Sequence, residues 1–296
     1  MGKHFCIDNT KEVRRVLIIT LFLNFAVAGA KIIYGYLTSS ISITSDGFHS
    51  LFDGTSNIFG LIGIWIASHP PDKEHPYGHR KFETLFTIFI ALMIFGTCFQ
   101  ILEKIYLSFK ENSHAVVTGT SFAIMLITMV VNIFVARYEA ARGKKLKSDF
   151  LVADAKHTQS DILTTVSVII GLIFVKLGYP LADSIAGLIV VVFIAKIGYE
   201  IFRKSTDVLM DKISIDTTLL EVLVKKVENV RGCHDIRTRG SENATYVDLH
   251  ISVDPSMPIE TAHEIAHKVE DTICKEFPSI VDVVVHIEPE RDRVPH

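Results

Sequence analysis

Two histidine–aspartate pairs stand inside long apolar stretches of this sequence. The first is His49 and Asp53 in TSDGFHSLFD, and the second is His157 and Asp161 in ADAKHTQSD. The partners are four residues apart in each pair, so on a helix both side chains project from one face. Two imidazole nitrogens and two carboxylate oxygens form a complete donor set for a tetrahedral divalent cation such as zinc.

A single pair of this kind is more often hydrogen-bonded than metal-binding in a membrane helix. An ionised side chain at the centre of a span costs about 2.5–3.5 kcal/mol and therefore needs a partner or a function. Because the pair occurs twice and few other charges lie at that depth, the sequence favours a transition-metal site. Asp46 and Asp154 each precede a histidine by three residues, and they either orient its second ring nitrogen or cap and hydrate the helix.

The elements that must position these pairs are membrane spans. The chain has 296 residues, of which 49% are hydrophobic, and its mean hydropathy of +0.35 is too high for an ordinary soluble domain. Six apolar segments before residue 205 are long enough to cross about 30 Å of hydrocarbon. They are 14–36, 41–67, 82–108, 117–138, 153–176 and 180–202.

Positive charge indicates the orientation of residues 1–205. Lysines and arginines are concentrated in the N-terminal tail and after the second, fourth and sixth spans. The positive-inside rule then places both termini in the cytoplasm, and we expect a multi-pass protein of the inner (cytoplasmic) membrane, in contact with lipid. The net charge of −3 argues against nucleic acid as a partner.

Residues 206–296 have a different pattern, which predicts a small α+β domain of ferredoxin-like class. Alternation of apolar and polar residues predicts strands, and a 3.6-residue period predicts helices on one face of the sheet. The expected order is helix 217–229, strand 234–241, strand 244–254, helix 258–277 and strand 281–288.

Two further groups of residues are candidate metal ligands. In the loop HPPDKEHPYGHRKFE, Asp72, His75 and His79 could hold a cation weakly, or they belong to an ordinary polar loop. The C-terminal domain has several histidines, which are either separate surface residues or ligands that converge. The four cysteines contain no CxxC pair, so a cysteine-type zinc site is not expected.

Together these motifs resemble the cation diffusion facilitator family of divalent metal/proton antiporters. The resemblance covers nearly the whole chain and is carried by SDGFHSLFD, HPYGHRKFE, ADAKHTQSD, HDIRTR and VVVHIEPE. It implies a homodimer and, from the two histidine–aspartate pairs, the zinc-preferring branch. The implied ligands are His49, Asp53, His157 and Asp161 for transport, Asp72, His75 and His79 in the loop, and His234, His250, His263, His286 and Glu288 in a cytoplasmic binuclear site.

The expected function is secondary active efflux of zinc by alternating access, without a prosthetic group and with Zn²⁺ as both transported and regulatory ion. A neutral imidazole binds a cation and an imidazolium does not, so metal and protons compete for the site. Alternatives are export of iron(II), manganese, cadmium or cobalt, a membrane metallohydrolase, or a metal sensor. The chain has no GxSxG motif to support a serine hydrolase.

Overall fold

The computed structural model describes residues 9–37, 44, 47–48, 50–51, 54–111, 119–176 and 181–290. The predicted ligands His49 and Asp53, together with Asp46, lie outside these residues. The chain divides into two compact units, and the division falls between Thr206 and Asp207.

The first unit is built from long apolar helices. Among the described residues, four helices are long and apolar enough to cross a membrane: Thr10–Leu37, Lys81–Leu107, Phe122–Leu146 and Ser184–Leu209. This makes the chain a multi-pass membrane protein. The complete helices are α1 (Thr10–Leu37), α2 (Thr55–Ala67), α3 (Lys81–Glu111), α4 (Gly119–Leu146), α5 (Asp149–Lys176) and α6 (Leu181–Leu209).

The two other predicted spans differ from these four for identifiable reasons. The second is described only over the 13 residues of α2, because much of 41–53 lies outside the described residues. The fifth corresponds to α5, whose first half carries the polar run DAKHTQSD. The count of six spans therefore stays a prediction.

The fourth helix extends beyond its predicted end. The sequence placed the end of the span at residue 138, where the apolar pattern stops, but α4 continues to Leu146. The added turns consist of EAARGKKL, which is rich in the strong helix formers alanine, arginine, glutamate and lysine. As a result Glu139, predicted to follow the span, lies inside the helix and is fully buried.

The helices of the first unit pack around a compact apolar centre. Leu17, Ile90, Phe150 and Ile194 are fully buried there. Large apolar side chains on the outer surfaces of the same helices are exposed, as expected for surfaces that face lipid.

The second unit has the predicted order of elements. Its three strands form one sheet in the order β1-β2-β3, with β1 and β2 antiparallel and β2 and β3 parallel. The first helix is shorter than the predicted 217–229, because after Val224 the chain turns instead of continuing the helix. The elements are α7 (Thr217–Val224), β1 (Gly232–Ser241), β2 (Ala244–Val253), α8 (Ile259–Glu276) and β3 (Ile280–Pro289).

The alternation along β2 separates the two faces of this sheet. Leu249 and Ile251 are buried and share a core with Ile265 and Val269 of α8. His250, between the two buried residues, therefore lies on the opposite face of the sheet from α8. This arrangement leaves one face of the sheet available for polar ligands.

One close helix contact yields a stability prediction. A Cβ added at Gly60 of α2 would lie 2.2 Å from Cε1 of Phe150, which is fully buried and therefore has little room to move. We expect Gly60→Ala to destabilise the purified protein by about 1–3 kcal/mol, measured as thermal unfolding in detergent.

The matched control is Gly96→Ala in α3, where a Cβ would have no atom within 4 Å. We expect that change to be neutral or slightly stabilising, since alanine favours a helix over glycine by about 1 kcal/mol. Equal unfolding temperatures for the two variants would contradict the close contact.

Candidate metal centres

A polar cavity lies among the helices of the first unit. It is lined in part by His157 and Asp161, which are one helical turn apart on α5 and share a face as the sequence predicted. Most of its remaining lining is small and polar, so oxygen and nitrogen atoms surround the space. The lining consists of Asn24, Val27, Ser50, Ser56, Asn132, His157, Thr158 and Asp161.

His157 is the most informative residue of this cavity. Its side chain is 3% exposed, and neither ring nitrogen has a hydrogen-bond partner among the residues that the structure describes. A buried polar atom without a partner loses the free energy of its hydration, which is why such atoms are rare in folded proteins. An imidazole with both nitrogens unused beside a carboxylate is an arrangement suited to a metal ion.

Asp154 does not hydrogen-bond to the ring of His157, which was one of the two roles that the sequence left open. Instead, Nδ2 of Asn57 donates to Oδ2 of Asp154 at 2.8 Å, and Nδ2 of Asn24 donates to Oδ1 of Asn57 at 2.9 Å. A polar chain therefore runs from the cavity wall at Asn24 into the helix interface. Glu139, on which the sequence analysis placed no role, lies at the far end of this chain beside Asp154.

The loop between α2 and α3 brings its three predicted ligands together. Oδ1 of Asp72 lies 3.4 Å from Nδ1 of His75, and Oδ2 lies 3.4 Å from Nε2 of His79. The ligand atoms of all three are within 4.8 Å of one another. Gly78 has φ of +83°, a left-handed conformation that glycine adopts readily, and it allows the tight turn that brings His79 back to Asp72.

This turn stabilises the ionised form of Asp72. Its pKa lies below the usual value, chiefly because the backbone N–H of His75 donates to the carboxylate, at 2.6 Å. Partial desolvation opposes this effect, while the N–H of Glu74 and the charges of His79 and His75 add to it. The loop therefore presents an ionised carboxylate beside two imidazoles, exposed to water.

A third centre lies on the open face of the C-terminal sheet. The register places His234 opposite His250 and His250 opposite His286. Glu288 links two of these histidines, because its Oε2 lies 3.2 Å from Nε2 of His234 and its Oε1 lies 2.9 Å from Nδ1 of His250. The ligand atoms of His234, His250 and Glu288 lie within 4.8 Å of one another.

The carboxylate of this cluster is stabilised in its ionised form. Desolvation raises the pKa of Glu288, but the hydrogen bond from His250 and the charges of His250 and His234 outweigh it, so the pKa lies below the usual value. His286 lies at the edge of the cluster, with Nε2 3.6 Å from Oε1 of Glu288. Two imidazoles and an ionised carboxylate on adjacent strands are a suitable donor set for a divalent transition metal.

His263 does not belong to the histidine cluster on the sheet of its own chain. It lies on α8, where its Nε2 is 3.1 Å from Nε2 of His267. Since α8 covers the other face of the sheet, the sheet stands between His263 and the cluster at His250. Within one chain, then, the structure brings together His234, His250, His286 and Glu288, but not His263.

Glu288 gives a direct test of the sheet cluster. In an Asp161→Asn background, which removes a ligand of the membrane cavity, we expect Glu288→Gln to weaken zinc binding by at least about tenfold, since it removes the bridging carboxylate. Isothermal titration of the full chain in detergent measures the change.

Glu290→Gln is the control, because Glu290 pairs with Arg231 at 2.6 Å and belongs to the same end of the sheet but not to the cluster. Its zinc affinity is expected to match the background. Equal affinities for the Glu288 and Glu290 variants would show that the cluster does not bind zinc.

Residues 17–210 match the family model described as the cation efflux transmembrane domain, and residues 214–290 match the cation efflux protein cytoplasmic domain. An uncharacterised transporter of Methanocaldococcus jannaschii is 36% identical over 94% of this chain and 99% of its own length. The manganese efflux system protein MneP of Bacillus subtilis is 31% identical, over 93% of this chain and 96% of its own. Metal tolerance protein C1 of Arabidopsis thaliana is 29% identical, over 94% of this chain and 63% of its own.

Proposed function

This chain belongs to the cation diffusion facilitator family of divalent-metal efflux transporters, and we propose that it exports zinc from the cytoplasm in exchange for protons. The observation that carries the proposal is the buried imidazole of His157, whose two nitrogens have no hydrogen-bond partner within the described part of the chain and which lines a cavity together with Asp161. His49 and Asp53 would complete the four-ligand set that the spacing predicts.

The proton dependence follows from the ligands themselves. An imidazole that binds metal through a nitrogen lone pair loses that ability once the nitrogen is protonated. When the cavity opens to the side with more protons, protonation of His157 would expel the metal. When it opens to the cytoplasm, loss of the proton would restore the site, so an inward proton gradient would drive metal outward.

The loop cluster would act before transport, and the sheet cluster would regulate it. The loop cluster at Asp72 is exposed and carries an ionised carboxylate, so it would capture cations weakly and release them quickly. The sheet cluster at Glu288 would bind cytoplasmic zinc as a regulatory ion. We further propose that both termini lie in the cytoplasm, that the protein resides in the cytoplasmic membrane, and that it acts as a homodimer.

The position of His263 supports the proposal of a dimer. The sheet cluster has two imidazoles and one carboxylate as its closely spaced ligands, fewer than the four that zinc usually takes in proteins. His263 of the same chain is separated from it by the sheet. A histidine from a second copy would therefore complete the coordination without any rearrangement within the chain.

Manganese is the second candidate cargo, and two observations favour it. MneP, a manganese efflux system protein of Bacillus subtilis, is similar to this chain over nearly the whole of its own length. The cavity wall also offers oxygen atoms from Asn24, Ser50 and Asn132, and manganese prefers oxygen ligands more strongly than zinc does.

Asp161→Asn tests the transport site. In proteoliposomes with an imposed pH gradient, we expect zinc uptake to fall on the order of 100-fold, because the amide keeps the volume but loses the ligand charge. Asp149→Asn is the control, since Asp149 lies at the start of the same helix and pairs with Lys204 at 2.8 Å, away from the cavity. Uptake by the Asp161 variant at the rate of the control would refute the site.

Competition between zinc and manganese for uptake tests which of the two metals is the cargo. We expect excess zinc to suppress uptake of radioactive manganese more strongly than manganese suppresses uptake of radioactive zinc, because imidazole ligands bind zinc more tightly. The opposite order in wild-type proteoliposomes would make manganese the cargo and leave the site assignment unchanged.

A further inference from the structure

Glu139 is a carboxyl group that the proposed transport site does not use. It lies on α4 and is 0% exposed. The side chains that face it come from three other helices: Thr20 of α1, Asn57 of α2 and Asp154 of α5. Neither carboxylate oxygen of Glu139 has a hydrogen-bond partner among the described residues.

The possible donors around Glu139 are already engaged elsewhere. The hydroxyl of Thr20 is within hydrogen-bonding distance of the carbonyl oxygens of Val16 and Leu17. The Nδ2 group of Asn57 donates to Oγ1 of Thr20 at 3.2 Å and to Oδ2 of Asp154 at 2.8 Å. The amide thus uses both of its N–H bonds, and neither it nor the Thr20 hydroxyl makes a hydrogen bond to Glu139.

Asp154 makes a second negative charge at this place still less favourable. It is 2% exposed and directly faces Glu139. Two ionised carboxylates in contact within a buried region repel each other strongly, and both lose their hydration. A proton held between the two oxygens removes one charge and supplies Glu139 with the hydrogen bond that it lacks among the described residues.

This carboxyl pair is connected to the metal cavity. Asn24 lines the cavity and donates to Asn57, which in turn donates to Asp154. Asp154 is also one helical turn from His157 on the same face of α5. The charge of Asp154 affects the ionisation of Glu139. His157 is the other titratable group whose charge affects the ionisation of Asp154.

We propose that Glu139 carries a proton shared with Asp154 while the cavity holds no metal, and that metal binding beside His157 releases this proton. The positive charge of the metal would stabilise the ionised carboxyl pair, so the proton leaves the carboxyl oxygen for water and a second carboxylate remains. The pair is then a coupling site outside the metal ligands. The inference rests on the proposed function, since it takes the cavity at His157 as the metal site.

Proton release upon zinc binding tests the inference. The full chain in detergent is titrated with zinc in buffers of different ionisation enthalpy, which gives the number of protons released for each metal bound. We expect Glu139→Gln to release about one proton fewer than wild type for each metal bound in the cavity. The number of zinc ions bound per chain is expected to be unchanged, because the pair supplies no ligand.

The matched control is Glu83→Gln. Glu83 is also a glutamate of the helical unit, but Oγ of Ser148 donates to its Oε1 at 2.6 Å. Because that carboxylate has its own donor and lies apart from the Asn57 chain, we expect its variant to release as many protons as wild type.

Asp154→Asn is the second variant, for use if the Glu139 variant does not fold. Since the pair shares a single proton, Asp154→Asn and the double variant are expected to show the same loss as Glu139→Gln, without addition. Thermal unfolding of each variant shows that it is folded before titration.

The outcomes are distinguishable. Equal proton release by folded Glu139→Gln and wild type would overturn this inference, as would the loss of a bound zinc ion, which would make the pair a metal ligand. Failure of the proposed function appears differently: zinc binding by wild type would then not depend on Asp161, whichever residue occupies position 139.

Discussion

The membrane-spanning unit is governed by one constraint: a polar group buried among apolar helices must find its partner within the protein. Asn57 satisfies this constraint by donating to both Thr20 and Asp154, and it thereby joins three helices. Ser and Thr side chains of α5 satisfy it locally, by bonding to carbonyl oxygens of the preceding turn, as Thr165 does with Asp161. Against this background, His157 and Glu139 are exceptions, because their polar side-chain atoms have no hydrogen-bond partner among the residues described, and a cation or a proton would satisfy them.

The sequence predicted the ligand spacing but not the surroundings of the ligands. Four-residue spacing on a helix has a fixed geometric meaning, so the shared face of His157 and Asp161 followed from sequence alone. The environment of Glu139 did not, because a glutamate within ARYEAARG has the same local pattern as an exposed residue at the membrane surface. The available signal was the presence of Thr20, Asn57 and Asp154 on three other spans, whose meeting depends on how the helices pack.

In the C-terminal unit, too, the sequence predicted features that depend on neighbouring residues but not features that depend on distant ones. Alternation along β2 predicted that Leu249 and His250 face opposite sides, and the structure agrees. The pairing of His250 with both His234 and His286 depends on the register of three strands, and no turn fixes the parallel register of β2 and β3. The register shift between His234 and Arg237 was likewise invisible in the sequence, because nothing in HDIR requires Asp235 to adopt a positive φ.

A difference in water access between the centres would allow one chain to use the same ligand chemistry for different purposes. The loop and sheet clusters are partly exposed to water, so under the proposed function an ion would exchange there without any helix movement. The cavity at His157 is lined by side chains of α1, α2, α4 and α5, so movement of those helices would change its shape. A polar chain from Asn24 to Glu139 crosses the same helix interfaces, and such movement would alter the metal cavity and the carboxyl pair together. Under the proposed function, coupling of metal to protons would then need no separate relay, because side chains of α1, α2, α4 and α5 line the cavity and surround the carboxyl pair.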